Sequence, residues 1–305
     1  MSFVRYSAWL LPALLGVSAL GLLPACDVVD NPIPPSEVVS AGRRDTLQLD
    51  SAERARPAGP LTQKVLLEDF TGQFCGNCPA AGIMAHTLKQ QYGERLVVLE
   101  AHVTTYFAGP KADPKYATDF RVPQVSDELD NTFGLSNLGL PKGAVNRSPQ
   151  SGSSDVALDF GNWPTAVAAQ LSSPASQQIR LTTLYTPATR RLRMKINNRY
   201  LTAQPGRYRL GIYITEDSLL GWQKDYTRTP QDVPNYPHRH VLRTALNGTF
   251  GALQVTAPTA NQTFDNYLTY TLPAAWVPRH CAVIAFIADD ATKRIVQVAE
   301  EHVVH

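Results

Sequence analysis

Two cysteines, Cys75 and Cys78, stand between a predicted strand and a predicted helix, and this arrangement constrains the fold more than any other stretch. Four apolar or aromatic positions within residues 65–70 predict a buried strand. Pro79 then opens an apolar-striped segment to Tyr92 that predicts a helix. Proline suits the first helical turn because an N–H there has no partner within the helix. The two thiols therefore lie at the positive end of a helix, which favours a thiolate over a thiol.

Cysteines at this spacing and in this position are typical of thiol–disulfide exchange. The first sulfur attacks a disulfide, and the second resolves the mixed intermediate. We assign Cys75 as the attacking thiol, because the first cysteine is normally the more exposed, and Cys78 as the resolving thiol. In their oxidised form the two make a disulfide. A purely structural disulfide is the alternative, although the chain-entropy model gives so short a loop only about 2 kcal/mol, against about 3 kcal/mol for a 15-residue loop.

Metal binding is the other chemistry open to cysteines and histidines. A zinc site at Cys75 and Cys78 would need two further ligands, and the sequence has no second C-x-x-C pair. His238 and His240 would face the same way on a strand and could hold a metal, but neither a carboxylate nor a third histidine is close in sequence. We favour ordinary loop packing for these histidines and predict neither a metal nor a cofactor.

Length and charge limit the classes of protein to which the chain can belong. It has 305 residues, of which 44% are hydrophobic and 18% charged, so it is globular and long enough for two cores. The net charge is only +2, and basic residues are scattered among acidic ones. Because no basic surface is indicated, we predict no nucleic-acid partner.

The first 25 residues predict a lipoprotein signal peptide. Arg5 supplies a positive start, and residues 8–23 form an apolar stretch that is too short for a comfortable membrane span. The stretch ends in Leu-Pro-Ala-Cys, which is similar to a bacterial lipoprotein cleavage box with lipidation at Cys26, although Pro24 departs from the usual residue. The predicted partner is therefore a membrane, reached through a lipid anchor. The alternative is an ordinary signal peptide that leaves Cys26 as a free thiol.

The rest of the chain divides into three predicted segments. Residues 26–60 are rich in proline and predict a flexible tether. Residues 61–173 alternate strand and helix, with an inserted aromatic-rich loop near 103–124, and predict an α/β domain. Residues 174–305 show apolar residues at every second position in six or more short segments, which predicts an all-β antiparallel sandwich, Ig-like in type. Cys281 falls in one of these strands, where a buried and inert thiol is expected.

The α/β segment resembles a thioredoxin-like domain at two places besides the cysteines. Pro141, in Gly-Leu-Pro before a predicted strand, matches the proline that takes a cis peptide bond and faces the C-x-x-C turn in that fold. Asp69, followed by Phe70, matches the buried acid six residues before the first cysteine. The resemblance implies that Asp69 takes the proton of Cys78 during resolution, with Glu68 as a competing candidate. The intervening Gly-Asn differs from the Gly-Pro of reducing thioredoxins, so redox direction is not carried over.

The chain as a whole resembles the outer-membrane-protein-28-related family of Gram-negative lipoproteins. The resemblance rests on Glu-Asp-Phe-Thr-Gly before the cysteines, on Asn-Arg at residues 146–147, on His-Val-Leu-Arg at residues 240–243 and on strands near the C-terminus. It implies an outer-membrane lipoprotein that faces the periplasm or the cell surface. Two functions follow as hypotheses: thiol–disulfide exchange on exported thiol proteins, or surface binding and adhesion through the β-sandwich with the C-x-x-C as a structural disulfide.

Overall fold

The computed structural model describes residues 39–57, 59–149 and 153–305, and all of them belong to one compact unit. The predicted signal peptide and the predicted lipidation site Cys26 lie outside the described residues. Within the described ranges, no helix combines the length and the apolar character that crossing a membrane requires.

The first half of the described chain alternates strands and helices, as its sequence pattern predicts. Its elements, in chain order, are β1 (Val39–Ser40), α1 (Arg43–Ala55), β2 (Val65–Thr71), α2 (Cys78–Tyr92), β3 (Leu96–His102), α3 (Thr105–Ala108), α4 (Pro123–Phe133), α5 (Leu135–Leu138), β4 (Lys142–Val145) and α6 (Trp163–Leu171).

Helix α1 lies within the segment for which we expected a flexible tether, and that expectation is wrong for this helix. Leu49 is fully buried, and acidic side chains of α1 face a basic strand of the second half. The Lys195 ammonium lies 2.8 Å from the Asp50 carboxylate and 2.6 Å from that of Glu53. The proline-rich composition of the segment gave no indication of this helix. Its contacts with residues far away in the sequence stabilise it.

Strand β2 and helix α2 form where the apolar pattern predicts them. All seven residues of β2 are buried, which is expected of a strand covered on both faces. Pro79 occupies the first turn of α2. The buried face of α2 is made by Ala81, Ala85 and Leu88.

The second half consists of strands whose apolar residues alternate with polar ones. Leu192, Met194 and Ile196, for example, are fully buried. The strands are β5 (Gln177–Thr186), β6 (Arg191–Tyr200), β7 (Arg207–Glu216), β8 (Leu219–Lys224), β9 (Asp232–His238), β10 (Val241–Ala245), β11 (Ala252–Thr256), β12 (Thr263–Thr271), β13 (Cys281–Asp289) and β14 (Ile295–His302).

Strands of both halves share one sheet. Its order is β14-β13-β7-β10-β3-β2-β4, with β11 also paired to β7. The two halves meet where β10 runs parallel to β3, with Val241 in register with Glu100 and the Glu100 N–H donating to the His240 carbonyl at 2.9 Å. A second sheet, β1-β12-β6-β5, packs against this one, and β8 and β9 form a separate hairpin.

This arrangement confirms a mixed α/β protein with extensive antiparallel pairing, but the second half is not a sandwich with two sheets of its own. Hydrophobic residues of both halves, such as Leu66 and Phe286, pack in one cluster. The sequence did not predict this shared sheet, because β10 and β3 are separated by well over a hundred residues. The periodicity of apolar residues predicts strands but not which distant strands pair.

Candidate functional site

A disulfide joins Cys75 to Cys78 at the end of β2 and the start of α2, with a Cα–Cα distance of 5.4 Å. Cys78 is the first residue of α2, and Pro79 follows it in the first helical turn. The sequence therefore placed both cysteines correctly at a strand-to-helix turn with the helix N-terminus beside them.

Both cysteines are covered. Cys75 is 2% exposed and Cys78 is 3% exposed, so the expectation that Cys75 is the more exposed thiol is wrong. The cover is the hairpin β8–β9, which comes from the second half of the chain. Its backbone and one side chain donate to the carbonyl groups of the cysteine turn: Lys224 N–H to Gln73 O at 2.8 Å, Tyr226 N–H to Gly76 O at 2.9 Å, and Gln223 Nε2 to Cys75 O at 3.0 Å.

The hairpin also explains the glycine between the cysteines. The Tyr226 ring packs directly on Gly76, and a Cβ added there would lie 2.5 Å from ring carbons. Any larger residue at this position would therefore push the tyrosine away from the cysteine turn. Sequence reasoning missed the hairpin, because Gln223 lies 148 residues from Cys75.

A groove of about 500 Å³ lies beside the cysteine turn. Gly76, Asn77 and Pro141 line it. The peptide bond between Leu140 and Pro141 is cis, as expected. Two exposed apolar side chains, Ile83 at 67% and Leu138 at 45%, also line the groove, which is therefore largely apolar and open to a ligand.

The aromatic-rich inserted loop mainly covers a core edge. Tyr116 and Phe120 are 1% and 7% exposed, and Phe74, just before the cysteines, makes an edge-to-face contact with Tyr116 at 5.1 Å. Tyr106 is the exception, since it is 67% exposed. Most aromatic residues of this loop therefore pack against the core rather than face solvent.

Asp69 is the buried acid of the site. It is 1% exposed, and neither carboxylate oxygen has a hydrogen-bond partner among the described residues. Val65 and Leu67, at alternate positions of β2, pack in the hydrophobic cluster beneath α2, so Asp69 faces the same helix. Burial raises the pKa of Asp69 to about 8. A carboxyl of this kind can take up and release a proton near neutral pH.

Glu68 points the other way and is already paired. It accepts two hydrogen bonds from the guanidinium of Arg147, at 2.8 Å and 2.6 Å, and both side chains are fully buried. The same guanidinium donates to the Tyr213 hydroxyl at 3.2 Å and lies over the rings of Phe286 and Phe250. This carboxylate is bound in a buried ion pair, whereas that of Asp69 has no hydrogen-bond partner among the described residues.

A second acid that sequence analysis did not single out lies next to Asp69. Glu100 on β3 is in register with Asp69 on the parallel strand β2. Leu96 and Val98, at alternate positions of β3, pack beneath α2, so Glu100 faces that helix too. Its pKa is raised well above the ordinary value, first by burial and then by the neighbouring Asp69 charge. The sequence signal that could have identified Glu100 is its position directly after the four apolar residues that begin β3.

The two histidines of the candidate metal motif lie in different surroundings. His238 ends β9 and is buried against the rings of Phe120 and His102, and burial lowers its pKa to about 4. His240 follows outside the strand, with its Nδ1 3.7 Å from Asp217. Among the described residues, no three histidine, cysteine or acidic side chains converge as metal ligands. Packing, the interpretation we favoured, accounts for His238.

Cys281 is a buried thiol in a central strand, as predicted. It begins β13, is fully buried, and its sulfur lies 3.4 Å from the Val277 carbonyl oxygen. Burial, with a smaller contribution from Glu216, raises its pKa to about 12, so the thiol stays protonated and inert.

The fold and site define a mixed α/β protein built around a buried C-x-x-C disulfide. Comparison with known proteins then identifies its family: the family model described as "Outer membrane protein Omp28" matches residues 126–305, more than half of the chain. The chain belongs to the Omp28 family of outer membrane proteins, which confirms the family resemblance. A search of curated proteins finds no match.

Three solved structures are similar to parts of the chain at low sequence identity. HBP35 of Porphyromonas gingivalis is 18% identical with a TM-score of 0.59, over 80% of this chain and 76% of that one. A protein of Agrobacterium tumefaciens is 14% identical with a TM-score of 0.48, over 80% of this chain and 96% of that one. A domain of the outer membrane lipoprotein Omp28 from P. gingivalis is 19% identical with a TM-score of 0.30, over 42% of this chain and 88% of that one.

Proposed function

We propose that this protein is an outer-membrane lipoprotein with a thioredoxin-like site that performs thiol–disulfide exchange on exported proteins. The observation that carries the proposal is Asp69, a buried carboxyl without a hydrogen-bond partner among the described residues, which faces the helix that begins at the C-x-x-C disulfide. An unpartnered buried carboxyl lowers stability, and its position behind a pair of cysteines favours a chemical role.

The arrangement around the disulfide supports the thioredoxin-like part of the proposal. β2 and β3 are parallel and joined through α2, and β4 adds antiparallel to the other side of β2. Pro141, just before β4, lines the same groove as Gly76 and Asn77. A substrate chain lying in this groove would contact the cysteine turn on one side and the proline on the other.

The proposed reaction uses three side chains. In the reduced protein, the Cys75 thiolate attacks a substrate disulfide, releasing one substrate thiolate and leaving a mixed disulfide. Cys78 then gives its proton to the Asp69 carboxylate, and its sulfur attacks that of Cys75. The Cys75–Cys78 bond forms as the bond to the substrate breaks, and the substrate leaves as a thiolate. The reverse sequence passes the disulfide to a substrate dithiol.

The hairpin β8–β9 has to move before Cys75 can react, because that cysteine is 2% exposed. Hydrogen bonds donated by Gln223, Lys224 and Tyr226, together with the Tyr226 ring, hold the hairpin on the turn. We propose that the closed form protects the disulfide and that hairpin opening exposes it to a substrate.

The reduction potential of the disulfide tests the proposal. The full chain carrying Cys26→Ser, purified in detergent, is equilibrated with glutathione buffers, and the reduced fraction is measured by thiol alkylation. We expect a value between about −120 and −270 mV, the range of exchange proteins. A value below about −300 mV would mark a structural disulfide and overturn the proposed activity.

The second candidate function is binding or adhesion at the outer membrane, with the disulfide as a structural element. The burial of Cys75 and the hydrogen bonds that hold the hairpin on the cysteine turn favour this alternative. Under it, the disulfide fixes the turn on which the hairpin is seated, and the strands of the second half carry the binding surface.

Attachment to the membrane is also a proposal. Cys26 would carry the lipid, and the residues that follow it would connect the lipid to α1. The family is consistent with an outer-membrane location, and either the periplasmic or the external face is compatible with it.

A further inference from the structure

We propose that Glu100 is the group through which Asp69 exchanges its proton with solvent during thiol–disulfide exchange. The inference rests on the proposed function and assigns one further residue to it. Glu100 touches neither sulfur in the proposed reaction, so it acts through Asp69 and is a positioning residue rather than a catalytic one.

Asp69 needs such a partner because water cannot reach it directly. It is 1% exposed, and its oxygens have no hydrogen-bond partner among the described residues. Each resolution step delivers one proton from Cys78 to this carboxylate. The proton has to leave before the next cycle, since a protonated Asp69 cannot accept another.

Glu100 provides the next position on the way out. It lies in register with Asp69 on the neighbouring parallel strand, and both side chains face α2. The helix leaves room above Glu100, because α2 carries Gly82 at this point. A Cβ added to that glycine would lie 3.7 Å from the Glu100 carboxylate.

Unlike Asp69, Glu100 borders a cavity that leads to solvent. The cavity has a volume of about 400 Å³ and lies between α2 and the hairpin β8–β9. Tyr236, Arg239 and Arg228 line it, and both arginines are exposed at the surface. Water in this cavity can therefore exchange protons with Glu100.

The charges around Glu100 suit an acid that binds and releases a proton. Asp69 on β2 and Asp217 after β7 disfavour its ionised form, whereas Arg239 after β9 favours it. Tyr236 on β9 adds a hydroxyl, and His86 on α2 lines the far side of the cavity. Two neighbouring carboxyls of this kind share protons, so the loss of one proton from the pair favours retention of the other.

The proton balance is closed. The Cys78 proton moves to an Asp69 oxygen as the Cys75–Cys78 bond forms and the substrate thiolate leaves. It then passes from Asp69 to the Glu100 carboxylate, and from Glu100 to water in the cavity. Both carboxyls return to their starting state, and in the reverse reaction the same groups carry the proton inward.

A two-phase thiol assay tests the inference. The reduced full chain carrying Cys26→Ser reacts with 5,5′-dithiobis(2-nitrobenzoate) in detergent. Attack by Cys75 releases the first thionitrobenzoate at a rate that depends on reagent concentration, and resolution by Cys78 releases the second at a rate that does not. Since burial raises the pKa of Asp69 to about 8, this carboxyl is mostly protonated at neutral pH and has to pass that proton to Glu100 before it can accept the one from Cys78. We therefore expect Glu100→Gln to slow only the second phase by about tenfold, against about 100-fold for Asp69→Asn.

Chemical rescue separates proton transfer from a merely structural role. In Glu100→Ala, acetate that enters the cavity should restore the second phase, whereas the neutral acetamide should not. Glu100→Asp keeps an acid at the position and, once circular dichroism shows that it folds as the parent does, should resolve at close to the parent rate. His86→Gln is the matched control, since it removes another titratable group from the same cavity and should change neither phase.

Each outcome decides something. If the parent chain shows no second phase, the proposed function fails and this inference fails with it. If the parent resolves and Asp69→Asn slows it, while Glu100→Gln and Glu100→Ala resolve at the parent rate, the proposed function stands and the role of Glu100 is overturned. Rescue by acetamide as well as by acetate would also overturn it, because filling space would then be sufficient.

Discussion

At the scale of single residues, two adjacent carboxylates of β2 have opposite surroundings. Strand alternation turns Glu68 toward the cluster that contains Arg147, and it turns Asp69 toward α2. The first has two charge-assisted hydrogen bonds, and the second has no partner among the described residues. A shift of one residue in register would exchange these roles, so the position of each acid in the strand fixes its chemistry.

We predict that Asp69→Asn stabilises the protein at neutral pH. The pKa of Asp69 is raised, from 3.8 to about 8, so the folded state favours the protonated form. The wild-type chain therefore loses stability as pH rises from about 4 to about 8, and the asparagine variant does not. Since one pKa unit corresponds to about 1.4 kcal/mol, we expect a gain of about 2 to 4 kcal/mol at pH 7.

Urea unfolding of both proteins between pH 4 and pH 8 measures this difference. The two free energies of unfolding should converge at the acidic end and separate as pH rises. A constant difference across the range would show that Asp69 does not titrate in this window.

We predict a large loss of stability for Glu68→Gln. The substitution leaves the Arg147 guanidinium fully buried without its counter-charge. Removing one partner of a buried ion pair costs about 3 to 5 kcal/mol. The control is the double variant Glu68→Leu with Arg147→Met, which removes both charges and should lose less stability than the single variant. Equal or greater loss in the double variant would mean that packing, not the unpaired charge, dominates.

At the scale of elements, the chain is well predicted wherever contacts are local. The apolar run of β2 and the proline at the start of α2 predicted these two elements at or close to their observed bounds. The hairpin over the disulfide was not predictable, since its partners are about 150 residues away in sequence. Glu100 lies beside Asp69 because of the register between β2 and β3, and the sequence does not specify that register.

The hairpin β8–β9 is the element that separates the two candidate functions. A hairpin that opens makes the disulfide a reactive group, and a hairpin that stays closed makes it a structural one. Its attachment uses the turn residues Gln73, Cys75 and Gly76 as acceptors, so the same short turn carries both the sulfurs and their cover.

We predict that Tyr226→Ala accelerates reduction of the disulfide by dithiothreitol. The ring that packs on Gly76 is lost, and a hairpin whose docking is weakened by about 1.4 kcal/mol is open about tenfold more often. The rate is followed by thiol alkylation. Leu220→Ala, in the same hairpin and at a residue that is 68% exposed, is the control and should leave the rate unchanged. Equal rates for Tyr226→Ala and the parent would show that this ring does not hold the cover.

At the scale of the whole molecule, the family model covers only part of the sheet that holds the candidate site. The family model begins at residue 126, within α4, and therefore leaves out β2 and β3. In this structure, however, β10 of the matched region pairs with β3. The strands that hold the acids and the strands of the matched region form one continuous layer.

We predict that Cys26→Ser releases the protein from the membrane. Without the thiol there is no acceptor for a lipid, and the chain should move from the membrane fraction to the soluble envelope fraction. Metabolic labelling with an alkyne fatty acid should mark the parent and not the variant. Cys281→Ser is the matched control, since that thiol is fully buried and its loss should leave labelling unchanged.

The parallel contact between β3 and β10 has a consequence for any shortened form of the chain. A fragment that ended near residue 173 would lack β10, and β3 would become the border of its sheet with a row of unpaired N–H and C=O groups. Such borders recruit strands from other chains. A separately expressed first half should therefore self-associate, and proteolysis between the halves would expose the same unpaired strand border.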